Sequence, residues 1–75
     1  MPPPRAVTEA LAAFRGAQIV LNDAVGEMDA AAQGEGSVGD TLVLQNKVRA
    51  KATELHERTE RLLDAALRSV SERAT

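Results

Sequence analysis

Residues 38–73 read VGDTLVLQNKVRAKATELHERTERLLDAALRSVSER, and this stretch determines how the rest of the chain can fold. Apolar and small residues recur in it at steps of three and four: Leu44, Val48, Ala52, Leu55, Thr59, Leu62, Ala66 and Val70. This spacing predicts an α-helix and not a strand. Charged and polar residues occupy most other positions, so only one narrow stripe can be buried. The stripe therefore requires a partner helix.

The preceding part of the chain contains a second amphipathic pattern. Apolar residues repeat there at steps of four and three, with Gln18 in the one missing step: Val7, Leu11, Phe14, Leu21, Val25 and Met28. Alanines run beside them at positions 10, 13, 17, 24 and 31. The pattern predicts a helix over about residues 7–32 whose apolar face covers roughly half of its circumference. A face this wide can contact two neighbouring helices at once.

Residues 33–37, Gln-Gly-Glu-Gly-Ser, separate the two helices. Gly34 is placed to end the first helix in the left-handed conformation that glycine favours. Ser37, with Asp40 three residues later, matches the pattern that caps a helix start, although Asp40 itself is an alternative cap that would shorten the second helix by three residues. A connection this short predicts an antiparallel hairpin.

The length of the chain allows one domain. We expect residues 1–6 to form a flexible, Pro-rich lead-in and residues 7–73 to form a helical hairpin, with helices over about 7–32 and 38–73 and a turn at 33–37. A chain of 75 residues buries too little surface to be comfortably stable alone, and it contains no cysteine for a disulfide. The expected fold class is therefore all-α, an antiparallel hairpin completed as a four-helix bundle or larger helical assembly by self-association.

Composition limits the partners. The net charge is −2, and Phe14 is the one aromatic residue, which argues against base stacking on single-stranded nucleic acid. Lys47, Arg49 and Lys51 form a basic cluster, but their spacing on a helix points them in different directions, as on a solvated face. Nucleic acid is therefore not an expected partner.

The sequence contains no residue set that specifies a reaction, so we predict no catalytic, cofactor-binding or metal-binding residues and no enzyme activity. His56 falls at the border of the apolar stripe, and acidic pairs such as Glu57 and Glu60 lie on polar surfaces without the burial that acid–base catalysis requires. No apolar run approaches the ~18 residues of a membrane span, and no signal peptide is evident. The expected location is the cytoplasm, or outside it after export by a dedicated secretion machine.

Residues 39–48, Gly-Asp-Thr-Leu-Val-Leu-Gln-Asn-Lys-Val, resemble the loop-to-helix passage of type III secretion needle and inner-rod subunits. In those proteins a Leu-x-x-Gln-x-Lys-aliphatic run opens the carboxy-terminal helix, as Leu42, Gln45, Lys47 and Val48 do here. The turn of this chain is rich in glycine where the family usually has proline. The resemblance implies a small hairpin subunit that bacterial export systems polymerise.

The sequence thus predicts a non-enzymatic hairpin whose role is protein–protein association, as a structural or adaptor subunit that self-associates through the apolar face of helix 1 or binds another helical protein. The alternatives are a bacterial needle-like, rod-like or secreted subunit and a small dimeric nucleic-acid-binding bundle. The expected core and interface residues are Val7, Leu11, Phe14, Leu21, Val25, Met28, Leu44, Val48, Leu55, Leu62 and Val70. A second interface is expected to involve Ile19, Val20, Leu42 and Val43.

Overall fold

A computed structural model describes residues 4–34 and 36–74. Two helices, α1 (Arg5–Gln33) and α2 (Val38–Ala74), contact each other and form a hairpin. No strand occurs in these ranges. The first two residues of α1 belong to the expected lead-in, and Met1, Pro2 and Pro3 of that lead-in lie outside the described residues.

The amino end of α1 is organised by Pro4. Its carbonyl oxygen accepts hydrogen bonds from the backbone N–H groups of Val7 and Thr8, both at 3.1 Å. Proline disfavours a helical conformation in the residue before it and has no N–H to donate. Its carbonyl can still accept the first hydrogen bonds of a helix that follows it. The helix therefore begins directly after the proline run and earlier than its apolar spacing indicates.

The turn differs from the expected conformation. The Gly34 N–H donates to the Ala30 carbonyl at 3.0 Å, but the Gly34 backbone is extended (φ −100°, ψ −156°), so the prediction of a left-handed cap is wrong. At Gly36 the turn requires glycine because of limited space. A Cβ on Gly36 would lie 2.8 Å from the Ala31 carbonyl oxygen, because the chain turns back closely over the last turn of α1.

Ser37 caps the start of α2. Its hydroxyl oxygen accepts a hydrogen bond from the Asp40 N–H at 3.1 Å, and its carbonyl accepts one from the Thr41 N–H at 3.0 Å. A side-chain acceptor at this position satisfies one of the N–H groups that a helix start leaves without a partner. The helix accordingly begins at Val38, and the alternative cap at Asp40 is wrong.

The contact between the helices follows a repeat of 3.5 residues, as in a left-handed coiled coil. The side chains of α1 on this repeat are at least half-buried: Val7, Ala10, Phe14, Ala17, Leu21, Ala24, Met28 and Ala31. The matching positions of α2 are Thr41, Leu44, Val48, Lys51, Leu55, Arg58, Leu62, Ala65 and Ser69. We call these two rows the seam. Large residues alternate with alanine along α1, which lets α2 lie close.

Part of the sequence-based stripe of α2 lies outside the seam. Ala52, Ala66 and Val70 are exposed, and Val70 keeps 55% of its surface accessible. The steps of the whole predicted stripe average more than 3.5 residues. The stripe therefore rotates gradually around α2 and moves away from the side that contacts α1. Val25 of α1 lies beside the seam and is 41% exposed. Val25 and Val70 are therefore not part of the contact between α1 and α2, and their expected place in an interface stays a prediction.

The hairpin is a single layer with almost no interior. It measures 59 × 18 × 12 Å, and its radius of gyration is 17.1 Å against about 11 Å for a compact domain of this length. Within the described ranges, Ala24 and Ser69 are the buried residues and no large side chain is fully buried. The accessible surface is 5738 Å², whereas a compact 7.9 kDa monomer exposes about 4400 Å². The chain therefore exposes far more surface than a closed fold.

Candidate protein interface

A second row of residues runs along α2 beside the seam, with the same steps of three and four. We call this row the outer stripe: Leu42, Gln45, Arg49, Ala52, His56, Thr59, Leu63, Ala66 and Val70. Helical geometry places it about a quarter turn away from the seam. The outer stripe therefore lies on one flank of α2, where all its residues except the half-buried Thr59 are exposed.

The large apolar residues of the outer stripe are exposed. Leu42, Leu63 and Val70 keep 53%, 57% and 55% of their surface accessible. They are separated by whole multiples of seven residues, so they form one line along the helix. Leu67, which is 68% exposed, adds to the apolar end near Leu63 and Val70. Val38 adds to the other end, one turn before Leu42. These residues form an exposed apolar cluster at each end of α2, and contiguous clusters of this kind are candidates for interaction surfaces.

The middle of the outer stripe is flat and nearly neutral. Ala52 and Ala66 are small, and the Thr59 hydroxyl donates to the Leu55 carbonyl of its own helix at 2.8 Å. That hydroxyl thus has a partner without any second molecule. Gln45, Arg49 and His56 are the remaining polar residues that a partner must accommodate.

The opposite side of the hairpin is charged. Lys47 forms an ion pair with Glu27 of α1 there, and Arg61 and Arg68 follow Lys47 at multiples of seven residues on the same side. A groove of about 370 Å³ at the open end of the hairpin is lined by Pro4, Ala6, Arg61, Asp64, Ala65, Arg68, Ser69 and Glu72. Acidic and basic groups alternate along its wall, so it has no consistent charge for one class of ligand.

Two cationic residues lie in the seam itself, and the stripe predicted from the sequence did not include them. Lys51 and Arg58 are half-buried, and Lys51 forms an ion pair with Glu54 at 3.5 Å. Small residues of α1 leave room for the Arg58 side chain, which shares a groove with Ala13, Gly16, Ala17 and Val20. Long cations can bury their aliphatic stems while the charged end reaches water. Counting in sevens from Leu44 would have located both.

The basic cluster predicted from the sequence divides between three directions. Lys47 pairs with Glu27 across the hairpin, Lys51 lies in the seam, and Arg49 lies on the outer stripe. These cations form no common surface. In the part of the chain that the structure describes, no group of three potential ligands could hold a metal ion. The described helices also contain no stretch apolar and long enough to cross a membrane.

The expected interface residues divide into two groups. Most of the core set lies half-buried between the helices: Val7, Leu11, Phe14, Leu21, Met28, Leu44, Val48, Leu55 and Leu62. The expected second interface is exposed but does not form one patch. Val20 lines a groove with Glu54 near the middle of the hairpin, with Ile19 next to it, whereas Leu42 and Val43 lie about 20 Å away at the tip. Whether any of them contacts another molecule stays a prediction.

The fold defines this chain as an all-helical hairpin with an exposed apolar stripe. No match to it was found among models of protein families, curated proteins or solved structures.

Proposed function

We propose that this protein is a non-enzymatic helical hairpin that self-associates, most simply as a dimer that forms a four-helix bundle, and serves as a structural or adaptor subunit. The observation that carries the proposal is the exposed outer stripe on a fold that is only one helix layer thick. The seam leaves most large apolar side chains partly in water, and a second hairpin would cover them.

The surface area supports association. The chain exposes 5738 Å², about 1300 Å² more than the roughly 4400 Å² of a compact monomer of its mass. A stable protein interface buries about 800 Å² on each partner. The excess is therefore sufficient for one such interface, and apolar burial contributes about 25 cal/mol per Å² to the gross stabilisation before entropic costs are subtracted.

The position of the interface differs from the sequence-based hypothesis, which placed it on helix 1. The apolar seam of α1 lies against α2, so we place the interface mainly on the outer stripe of α2. Val25 of α1 lies on the same side of the hairpin, because Glu27, on the other flank of the α1 seam, reaches Lys47 on the charged side. Val25 thus flanks the outer stripe and extends it onto α1.

A pair of matched variants tests the proposal. Leu63→Glu places a charge in the outer stripe, whereas Ile19→Glu places the same charge at a residue of similar exposure outside it, 63% against 57%. We expect sedimentation equilibrium to give a reduced mass for Leu63→Glu alone, with helical circular dichroism retained in both. An unchanged mass for Leu63→Glu would contradict the outer stripe as the interface.

A bacterial export subunit remains the second candidate, and one observation favours it. Ile19 and Val43 are 63% and 68% exposed on faces that the outer stripe does not include. A filament requires two different contact surfaces on each subunit, so that addition does not close. In this case Ile19→Glu, and not only Leu63→Glu, would stop mass from increasing with concentration.

A further inference from the structure

We propose that two copies of this chain pack antiparallel through the outer stripes of α2, about a two-fold axis that passes beside His56. This inference rests on the proposed function and specifies the partner, its direction and its register. The closed dimer would be a four-helix bundle in which each α2 lies between its own α1 and the α2 of the second copy.

The register follows from the symmetry of the stripe about His56. Leu42 and Val70 each lie fourteen residues from His56, and Arg49 and Leu63 each lie seven residues from it. An antiparallel second copy therefore places Leu42 against Val70 of the second copy, and Val70 against its Leu42. The two apolar ends, which are about 42 Å apart along the helix, are thus covered by two equivalent contacts.

Charge selects the antiparallel direction over the parallel one. In a parallel pair Arg49 would face Arg49 of the second copy, and like charges directly opposed are unfavourable. In the antiparallel pair Arg49 lies over Leu63 of the second copy, one helical turn from its Glu60. The aliphatic stem of Arg49 can cover Leu63 while the guanidinium reaches the Glu60 carboxylate, and the two-fold axis repeats this contact.

Single thiols test this arrangement, because the chain contains no cysteine of its own. A residue on a two-fold axis lies next to its own copy, so His56→Cys should form a disulfide dimer under mild oxidation. Leu63→Cys should not, since its copy would lie about 21 Å away. Glu57→Cys is the matched control, one residue from the axis position and pointing to a different side. We expect His56→Cys to cross-link at least about tenfold faster than either variant.

A double variant provides a test that leaves His56 in place. Arg49→Cys combined with Leu63→Cys should cross-link between chains, while each single substitution should not. Cross-linking of Leu63→Cys alone would indicate a parallel pair and overturn the inference. A native dimer with no cross-link in either test would overturn it and leave the proposed function standing. A native chain that stays monomeric would contradict both.

Discussion

Lys47 of α2 forms an ion pair with Glu27 of α1, with 3.1 Å between the Lys47 Nζ and the Glu27 Oε2. The pair joins the two helices near the hairpin tip and identifies the charged side of the molecule. Both side chains are about half exposed, at 46% and 50%. Exposed pairs of this kind contribute about 0–1 kcal/mol, so the pair determines orientation more than stability.

Reversing the charge at Lys47 should reduce stability slightly, and a second charge reversal should recover the loss. Lys47→Glu replaces attraction with repulsion to Glu27 and should lower the free energy of unfolding by about 1 kcal/mol or less. Adding Glu27→Lys should restore most of the loss, because the pair is then present in reverse. Urea denaturation at fixed protein concentration, at low and high salt, measures this. A loss in Lys47→Glu that the second change fails to recover would show that Lys47 acts through another contact.

Enlarging Ala24 should be costly. This residue is 1% exposed in the seam, so Ala24→Leu inserts a large side chain where the packing leaves no free space and should destabilise the fold by about 1–3 kcal/mol. Ala12→Leu is the control, on an exposed position of the same helix, and should change stability by less than about 0.5 kcal/mol. Equal unfolding midpoints for the two variants would contradict the close contact at Ala24.

The glycines should divide into two groups. A Cβ on Gly16 or Gly26 meets nothing within 4 Å, so changing either to alanine should stabilise α1 by about 1 kcal/mol. Gly36→Ala should instead destabilise the turn, because its Cβ would lie 2.8 Å from a backbone oxygen that cannot move alone. Thermal denaturation of the three variants measures both effects. Destabilisation by Gly26→Ala in an associated sample would place a partner against that face.

The sequence predicted the parts of this fold that depend on local chemistry. Apolar spacing located both helices, and the Ser37 hydroxyl acts as the capping pattern requires. It did not predict the rotation of α2 about its own axis. Lys51 and Arg58 look like surface residues, yet both are half-buried in the seam, and α1 presents small residues such as Ala13, Gly16 and Ala17 beside Arg58. That pairing depends on the register between the helices, which no single helix encodes.

The candidate interface was only partly predictable for the same reason. The sequence analysis places Leu42 in an expected second interface, whereas it does not single out Leu63. Val70 was expected in the core or in an interface, and its 55% exposure became evident only once the 3.5-residue repeat fixed which side of α2 faces α1. The prediction of a left-handed conformation at Gly34 was wrong because the path of the turn depends on both helices.

The mass of the unmodified chain in solution, measured by light scattering after size exclusion across a wide concentration range, is the most direct test of self-association. A closed dimer gives a mass twice the 7.9 kDa of one chain, constant over most of that range. A mass of one chain at every concentration would contradict self-association and leave the outer stripe without the partner proposed for it.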